Sequence, residues 1–216
     1  MNSTVQRNDF LSAMDWRYAV KKFDSSAQLS DQEVAQLLEV VRMAPTAYGQ
    51  QPFKVLNIRD KAVRQKLLSA SFGQDKVVNA SHLLVFAIDT GLGEESVQQY
   101  MELTAATRNI SVEAVEGFGN VIKNTYQAFG KEGVEQWAAK QAYLAQGFLL
   151  AAAAVMKIDT CPMEGFDPAQ YDEILGLKEK GLHATVVVTL GKRAEDDTTQ
   201  SLAKVRKPME QMVEVV

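Results

Sequence analysis

The sequence has a single cysteine, Cys161, and only two histidines, His82 and His183. One cysteine cannot form an internal disulfide, which fits a reducing compartment such as the cytoplasm. Both histidines begin apolar segments without the His, Cys or carboxylate spacing of a metal site, so we expect structural roles and no metal. No base accompanies Cys161 and the chain has no GxSxG segment, so nothing supports hydrolase chemistry.

Positive charge and long apolar runs are also scarce. The 216 residues include 23 Lys and Arg against 27 Asp and Glu, and this net charge of −4 argues against a nucleic-acid partner. The longest apolar run, GFLLAAAAVM at 147–156, is shorter than the roughly 20 residues that span a bilayer. The opening residues MNSTVQRNDF lack the apolar core of a signal peptide. We therefore expect a cytoplasmic globular protein with no nucleic-acid or membrane partner.

Helix and strand patterns interleave along the chain without internal repeats. Ser30 and Glu33 form a capping box that begins an amphipathic helix, and a proline ends that helix. The composition predicts strands over 53–58, over the apolar run HLLVFAI at 82–88, and over HATVVVTLG at 183–191. Because helices and strands do not alternate regularly, the pattern predicts an α+β fold.

Three further segments suggest how the fold is completed. The second half of a long helix over 132–157 is apolar on all sides, which predicts a helix buried at the centre. The helices predicted over 94–109 and 111–129 are polar, so we expect an exposed excursion or a partner-facing surface. Their apolar stripe is weak and consists of Val112, Val115, Phe118 and Ile122. The chain ends in MVEVV, a possible last strand.

Basic residues occur in two separated groups. RYAVKKF at 17–23 carries Arg17, Lys21 and Lys22, and LAKVRKP at 202–208 carries Lys204 and Arg206. Side chains two apart in an extended segment lie on the same side of the chain, so the pair in the tail could meet one anion. In an acidic protein the two groups could converge on a phosphate. From charge alone, the alternative that they are solvated surface charges is favoured.

Two loops combine small residues with hydrogen-bonding ones. APTAYGQQPFKV at 44–55 places small residues between a helix and a strand, where backbone could approach a flat ligand. Gln51 in this loop can offer both a donor and an acceptor. In CPMEGFDP at 161–168, Gly165 would let backbone approach a ligand in the same way.

Five segments, taken in order over nearly the whole chain, resemble the FMN-dependent nitroreductase family, the oxygen-insensitive NAD(P)H nitroreductases and flavin reductases. These segments are RYAVKKF, APTAYGQQPFKV, FGQDKVVNASHLLVF, CPMEGFD, and TLGKR with KVRKP. The resemblance implies one nitroreductase-like domain over 1–216, with a central mixed, mainly antiparallel sheet flanked by helices. It also implies an intertwined homodimer, a helical excursion at about 92–130 and a C-terminal arm at about 192–216.

The resemblance implies FMN as the cofactor and NADH or NADPH as the electron donor. Arg17, Lys204 and Arg206 would bind the FMN phosphate, and Lys21 would stabilise negative charge near the pyrimidine edge of the flavin. Glu164 and Gly165 would offer their backbone to flavin N5 and O4. The residues implied for cofactor binding are Arg17, Tyr18, Ala19, Lys21, Thr46, Ala47, Gly49, Gln51, Gln74, Lys76, Met163, Glu164, Gly165, Lys204 and Arg206.

The chain departs from the family's usual pattern in three places. Ala19 stands where serine is usual, and Gly49 with Phe53 stand where asparagine and tryptophan are usual. Gly73 and Gln74 stand where an asparagine is typical, and Gln74 is a candidate to replace its contact. None of these changes removes a residue implied for phosphate binding.

The implied activity is NAD(P)H:acceptor oxidoreduction of nitroaromatics, quinones or related small oxidants by ping-pong hydride transfer, with no side chain as acid or base. The alternatives are a flavin or dihydropteridine reductase, or a flavin-binding module without turnover. Phe118, Tyr126 and Phe129 are candidates for lining the substrate pocket, with ordinary packing as the alternative. The sequence identifies neither the physiological acceptor nor the preferred nicotinamide nucleotide.

Overall fold

The computed structural model describes residues 7–216, in which one β-sheet lies between two layers of helices. The strands are β1 (Phe53–Ile58), β2 (His82–Asp89), β3 (Asp159–Met163) and β4 (Leu182–Gly191). The α-helices are α1 (Arg7–Trp16), α2 (Asp31–Met43), α3 (Lys61–Ala70), α4 (Lys76–Asn79), α5 (Glu94–Arg108), α6 (Glu116–Val155), α7 (Pro168–Leu175) and α8 (Met209–Met212). The predicted α+β class is confirmed.

The sheet has the strand order β1-β2-β4-β3, and each neighbouring pair of strands is antiparallel. Its parallel component is a single bridge between Ala19 and Thr160 at the outer edge of β3. Here the Val20 N–H donates to the Thr160 carbonyl at 3.1 Å. Residues 19–20 therefore cover one edge of the sheet, whereas the outer edge of β1 pairs with no strand of the described chain.

The two central strands are buried on both faces, as the apolar run at 82–88 predicted. Leu84 and Phe86 of β2 pack into the cluster that contains α2, α5 and α6, while Leu83 and Val85 pack into the cluster that contains α3 and α7. This alternation follows from the two-residue period of a strand. All four side chains are fully buried, and such burial contributes about 1.5–3 kcal/mol for each.

Helix α2 begins and ends as its sequence predicted. The Ser30 hydroxyl accepts a hydrogen bond from the Glu33 N–H at 3.2 Å, and the Glu33 carboxylate accepts one from the Ser30 N–H at 2.8 Å. The helix ends at Met43 because Ala44 is extended, the conformation favoured before a proline such as Pro45. The loop at 44–52 therefore enters β1 from a fixed direction.

Helix α6 is interrupted once, at Gly130. This residue has φ 64° and ψ 174°, a conformation essentially restricted to glycine. No atom lies within 4 Å of the position that a Cβ would take, so backbone conformation rather than crowding requires glycine here. The helices predicted over 111–129 and 132–157 are thus the two parts of one element, preceded by a short 3-10 turn at Glu113–Val115.

The second part of α6 is buried on one face only. Ala145 and Leu149 are fully buried against the sheet, whereas Tyr143, Leu144 and Phe148 are 37%, 43% and 41% exposed. The expectation of a helix buried on every side is therefore wrong for a single chain. The apolar residues on the second face line a groove with Phe10, Val40, Gly147, Ala151 and Ala152.

The helical excursion at about 92–130 packs against the rest of the chain more closely than its polar sequence predicted. Val115 and Ile122 are buried in the same cluster as Val97 and Met101 of α5, so the expected exposed stripe is wrong for these two residues. The helices approach closely, since a Cβ at Gly119 would lie 3.0 Å from the Met101 side chain.

The C-terminal arm does not form the predicted last strand within this chain. After β4 it continues through a 3-10 turn, Thr198–Ser201, to the short helix α8, and residues 213–216 are irregular. That prediction is wrong for the single chain. The arm nevertheless exposes several large apolar side chains, namely Leu202, Val205, Met209, Met212, Val213, Val215 and Val216. Among the described residues, no helix is long and apolar enough to cross a membrane.

Candidate functional site

Arg17, Lys204 and Arg206 come together although nearly 190 residues separate them in sequence. The Lys204 ammonium donates hydrogen bonds to the carbonyl oxygens of Met14, at 2.8 Å, and Asp15. These carbonyls belong to the last turn of α1, where a helix lacks internal donors and favours cations. Because Arg17 directly follows α1, this contact places the arm beside it.

The three cations have no acidic partner to neutralise them among the described ion pairs. Burial and the charge of Arg206 lower the pKa of Arg17. Burial likewise lowers the pKa of Lys204. The negative charge of Asp15 raises this pKa, while the positive charges of Arg17 and Arg206 lower it further. The buried Arg17 Nε also has no hydrogen-bond partner, a condition that costs about 1–3 kcal/mol. Clustered cations without an ion-pair partner, together with an unpaired donor, fit a phosphate group.

Asp197, which sequence reasoning missed, fixes the segment that follows Arg17. Its carboxylate accepts the N–H groups of Lys21 at 2.9 Å and Lys22 at 3.2 Å, and the Tyr18 hydroxyl at 2.9 Å. Burial alone would raise the pKa of Asp197, but these donors and the Thr199 N–H outweigh it and lower the pKa to about 2. Only its place in the arm, close to Lys204, could have suggested this role.

These contacts also decide which side chains of the segment at 17–23 are available to a ligand. The Tyr18 hydroxyl is occupied by Asp197, and the Arg193 guanidinium lies 4.5 Å from the centre of the Tyr18 ring. The pKa of Tyr18 is raised by burial and by its hydrogen bond to Asp197. The side chain of Lys21 is exposed, so its ammonium remains accessible to a ligand.

The loop after α3 meets the turn after β3. The Gln74 side-chain amide donates to the Gly165 carbonyl at 2.6 Å. Lys76 is only 7% exposed, and its ammonium forms no hydrogen bond or ion pair with the described residues. Phe72, another residue that sequence reasoning missed, is 69% exposed with a left-handed φ of 54°. Its only sequence signal is an aromatic ring between turn residues.

The loop at 46–51 is held by other elements. The Ala47 N–H donates to the Gln141 side-chain oxygen at 2.8 Å, and the Gln51 amide donates to the Arg42 carbonyl at 2.6 Å. The Thr46 hydroxyl accepts the Gln51 N–H at 3.0 Å. The predicted ligand contact of Gln51 therefore competes with its role in capping the C-terminal end of α2.

Helix α6 separates the predicted site residues into two groups. Gln141 contacts the loop at 46–51, whereas the Tyr143 hydroxyl donates to the Glu164 carboxylate at 2.9 Å. Residues two apart lie about 200° apart around an α-helix. Within one chain, Thr46, Ala47, Gly49 and Gln51 thus stand on the opposite side of α6 from Glu164. The structure collects on the Glu164 side the residues Arg17, Tyr18, Ala19, Lys21, Gln74, Lys76, Met163, Gly165, Lys204 and Arg206.

Tyrosines from the excursion hold the loop at 46–51 in a strained conformation. Tyr48, Gly49 and Gln51 have positive φ values of 59°, 76° and 48°. The Tyr100 hydroxyl donates to the Tyr48 carbonyl at 2.6 Å, and a Cβ at Gly49 would lie 2.5 Å from the Tyr100 hydroxyl oxygen. A residue with a Cβ at position 49 would therefore collide with the Tyr100 hydroxyl.

The three candidates for the substrate pocket differ in exposure. Tyr126 is 7% exposed, packs edge-on against Trp137 at 5.5 Å and donates to the Gln50 side chain, so it belongs to the core. Phe118 and Phe129 are 39% and 48% exposed and remain accessible. A cavity of about 950 Å³ near Gly130 is lined by Tyr126 but by no other predicted site residue.

We expect Gly49→Ala to lower the free energy of unfolding by about 1–3 kcal/mol. A left-handed conformation costs an L-residue roughly 1–2 kcal/mol, and the added Cβ would collide with the Tyr100 hydroxyl. In a Tyr100→Phe background the nearest atom would be a ring carbon at 3.6 Å, so the cost should be smaller. Urea denaturation of the four proteins measures both costs. Equal costs in the two backgrounds would contradict the proposed collision.

Comparison with known proteins gives a consistent result. The model of the nitroreductase family matches residues 14–192. A relative from Enterobacter cloacae, named oxygen-insensitive NAD(P)H nitroreductase, is 28% identical over 95% of this chain and 98% of its own length. A nitroreductase-like protein of Streptococcus mutans superposes with a TM-score of 0.83 at 21% identity, over 98% of this chain and 100% of that one. A candidate nitroreductase of Exiguobacterium sibiricum, solved in complex with FMN, has a TM-score of 0.81 at 20% identity, over 96% and 97% of the two chains.

Proposed function

Because the chain belongs to the nitroreductase family, we propose that it is an FMN-dependent NAD(P)H:acceptor oxidoreductase that reduces nitroaromatics, quinones or related small oxidants. The observation that carries this proposal is the cluster of Arg17, Lys204 and Arg206. It combines three cations that form no ion pair with the described residues and a buried Arg17 Nε without a hydrogen-bond partner, which is what a bound phosphate would satisfy. The FMN complex of the Exiguobacterium protein supports the same cofactor.

The chain's own groups would bind and orient the cofactor. Arg17, Lys204 and Arg206 would hold the phosphate, and the exposed ammonium of Lys21 would stabilise negative charge that develops on the ring. The free N–H of Gly165 would serve as a donor to the ring edge. Bound FMN would supply the redox chemistry for a ping-pong exchange between NADH or NADPH and the oxidant.

This chemistry requires no acid or base from the chain, and the histidines are engaged elsewhere. His82 is buried, and its Nδ1 forms a hydrogen bond with the Ser81 hydroxyl at 2.9 Å. His183 Nδ1 lies 2.7 Å from the Asp172 carboxylate. A reducing cytoplasm is our proposed location, since the lone Cys161 is buried as a free thiol.

We further propose a homodimer, because one chain presents the site as two separate halves. The loop at 46–51 lies across α6 from Glu164, so a ligand that contacts both halves needs the loop of a second copy. The exposed apolar face of α6, with Leu144 and Phe148, offers a surface for that copy. The exposed apolar arm and the open edge of β1 provide a second pair of surfaces, since a free sheet edge accepts an added strand.

The decisive experiment is to incubate the purified protein with FMN and to add NADH or NADPH without oxygen. We expect a yellow protein whose flavin absorption is bleached by one of the nucleotides and returns when a quinone or nitroaromatic is added. A protein that does not take up FMN would overturn the cofactor assignment. A yellow protein that neither nucleotide bleaches would favour the alternative of a flavin-binding module without turnover.

A further inference from the structure

The turn after β3 is a tight three-residue turn centred on Gly165. The Phe166 N–H donates to the Glu164 carbonyl at 2.9 Å, the pattern of a γ-turn. In such a turn the N–H and carbonyl of the central residue point outward and need other partners. Buried side chains anchor both ends, since Met163 and Phe166 are only 4% and 5% exposed. Between these anchors, Glu164 and Gly165 are exposed.

Side chains from two other elements hold the exposed part of this turn. The Gln74 amide donates to the Gly165 carbonyl at 2.6 Å, and the Tyr143 hydroxyl donates to the Glu164 carboxylate at 2.9 Å. The Gly165 N–H, by contrast, donates to no described residue. The turn is therefore fixed from both sides while one donor is left available.

Gln74 and the turn share an anchor at the end of α3. The Asp167 N–H donates to the Ala70 carbonyl at 2.7 Å, and the Gln74 N–H donates to the Ser71 carbonyl at 3.1 Å. Both segments are thus anchored by hydrogen bonds to two consecutive residues, Ala70 and Ser71, at the C-terminal end of α3. A contact between two segments with a common rigid support is held in place more firmly than one between independent loops.

The Tyr143 hydroxyl affects the charge of the Glu164 carboxylate as well as its position. Burial and the hydrogen bond to Glu164 raise the pKa of Tyr143 to about 12, so its hydroxyl remains a donor at neutral pH. A hydroxyl that donates to a carboxylate offsets part of its negative charge and restrains its orientation. Without that hydroxyl, the exposed Glu164 carboxylate would carry its full charge and could turn toward the ligand.

We infer that Gln74 and Tyr143 are positioning residues that fix the turn at Glu164 and Gly165 and keep the Gly165 N–H directed to a bound flavin. This inference rests on the proposed function, since the flavin is the ligand that the donor would meet. Gln74 holds the Gly165 carbonyl, on the peptide that follows the Gly165 N–H, and Tyr143 restrains the Glu164 carboxylate. A fixed donor stabilises reduced flavin, which gains negative charge, whereas a freed carboxylate destabilises it.

The test of Gln74 is Gln74→Met, which keeps the length of the side chain and removes the donor. We expect FMN to bind about 3- to 10-fold more weakly, as the loss of one hydrogen bond of ordinary strength implies. The two-electron potential of the bound flavin should fall by about 15–30 mV, which corresponds to a 3- to 10-fold change in the ratio of affinities for the two redox states. Gln136→Met, on an exposed face of α6, is the matched control and should change neither quantity.

The test of Tyr143 is Tyr143→Phe, which removes only the hydroxyl. We expect the flavin potential to fall by about 15–30 mV, a 3- to 10-fold change in the same ratio. Adding Glu164→Gln to this variant removes the freed charge and should raise the potential again, to the wild-type value or above. Because Tyr143 lies on the apolar face of α6, the molecular mass of each variant in solution is measured alongside and should equal that of the wild type.

Wild-type potentials in both Gln74→Met and Tyr143→Phe would overturn this inference while leaving the proposed function intact. A fall in the Tyr143→Phe potential that Glu164→Gln does not reverse would overturn the role given to the carboxylate. A wild-type protein that does not bind FMN would overturn the proposed function and this inference together. Titration with FMN therefore comes first, and potentials are measured on protein saturated with the cofactor.

Discussion

Arg206→Ala should weaken FMN binding by about 10- to 100-fold with little change in stability. A hydrogen bond to a charged group contributes about 1.5–3 kcal/mol, and each 1.4 kcal/mol corresponds to a factor of ten in affinity. The side chain is exposed, and its described hydrogen bond is to the carbonyl of the adjacent Val205, so its loss should not disturb the fold. Titration followed by flavin fluorescence gives the affinity, and thermal unfolding without flavin gives the stability.

Two controls show whether the phosphate is what Arg206 binds. Lys207→Ala removes the same charge from the next residue, which is also exposed, and should leave FMN affinity within about twofold of the wild type. Riboflavin, which lacks the phosphate, should bind the wild type and Arg206→Ala equally. If Arg206→Ala weakened riboflavin and FMN by the same factor, the assignment of the phosphate to this cluster would be wrong.

Phe148→Asp should break up the proposed dimer and abolish tight FMN binding. Phe148 is 41% exposed on the apolar face of α6, and an unpaired carboxylate buried in an interface costs about 3–5 kcal/mol. This cost weakens association on the order of a thousandfold. FMN affinity should fall with it, because the loop at 46–51 from the second copy would no longer reach the site.

Sedimentation of Phe148→Asp should give a mass near 23.8 kDa, against twice that value for the wild type. Leu103→Asp is the matched control, since Leu103 is 63% exposed on α5 outside the groove and should leave both mass and FMN affinity unchanged. A wild-type protein that sediments as a monomer and still binds FMN tightly would contradict the proposal that the binding site is formed by two copies of the chain.

Much of the fold could be predicted from local patterns. The capping box of Ser30 and Glu33 fixed the start of α2, and the apolar runs at 82–88 and 183–191 became the two central strands. The five family-like segments identified the family whose model matches residues 14–192. These predictions succeeded because caps, turn residues and strand alternation depend on neighbours within a few positions.

The less successful predictions concern contacts between distant residues. Sequence alone could not show that Ile122 is fully buried in a cluster with α5 while Phe148 remains 41% exposed, because both are apolar residues in helical patterns. Nor could it show that Asp197 fixes the segment after Arg17, since 180 positions separate them. Which apolar residue is covered depends on what packs against it, and that is a property of the assembled chain.

The sequence by itself determined the α+β class and the family, because these follow from local periodicity and from motifs in a fixed order, and the resemblance to that family suggested which residues hold FMN. Only the tertiary structure decided how those residues are arranged. It joins Arg17 to Lys204 and Arg206 through the end of α1, places Gly49 against Tyr100, and separates the loop at 46–51 from Glu164 by α6. These arrangements depend on which surfaces of distant elements meet, and no local pattern encodes that choice.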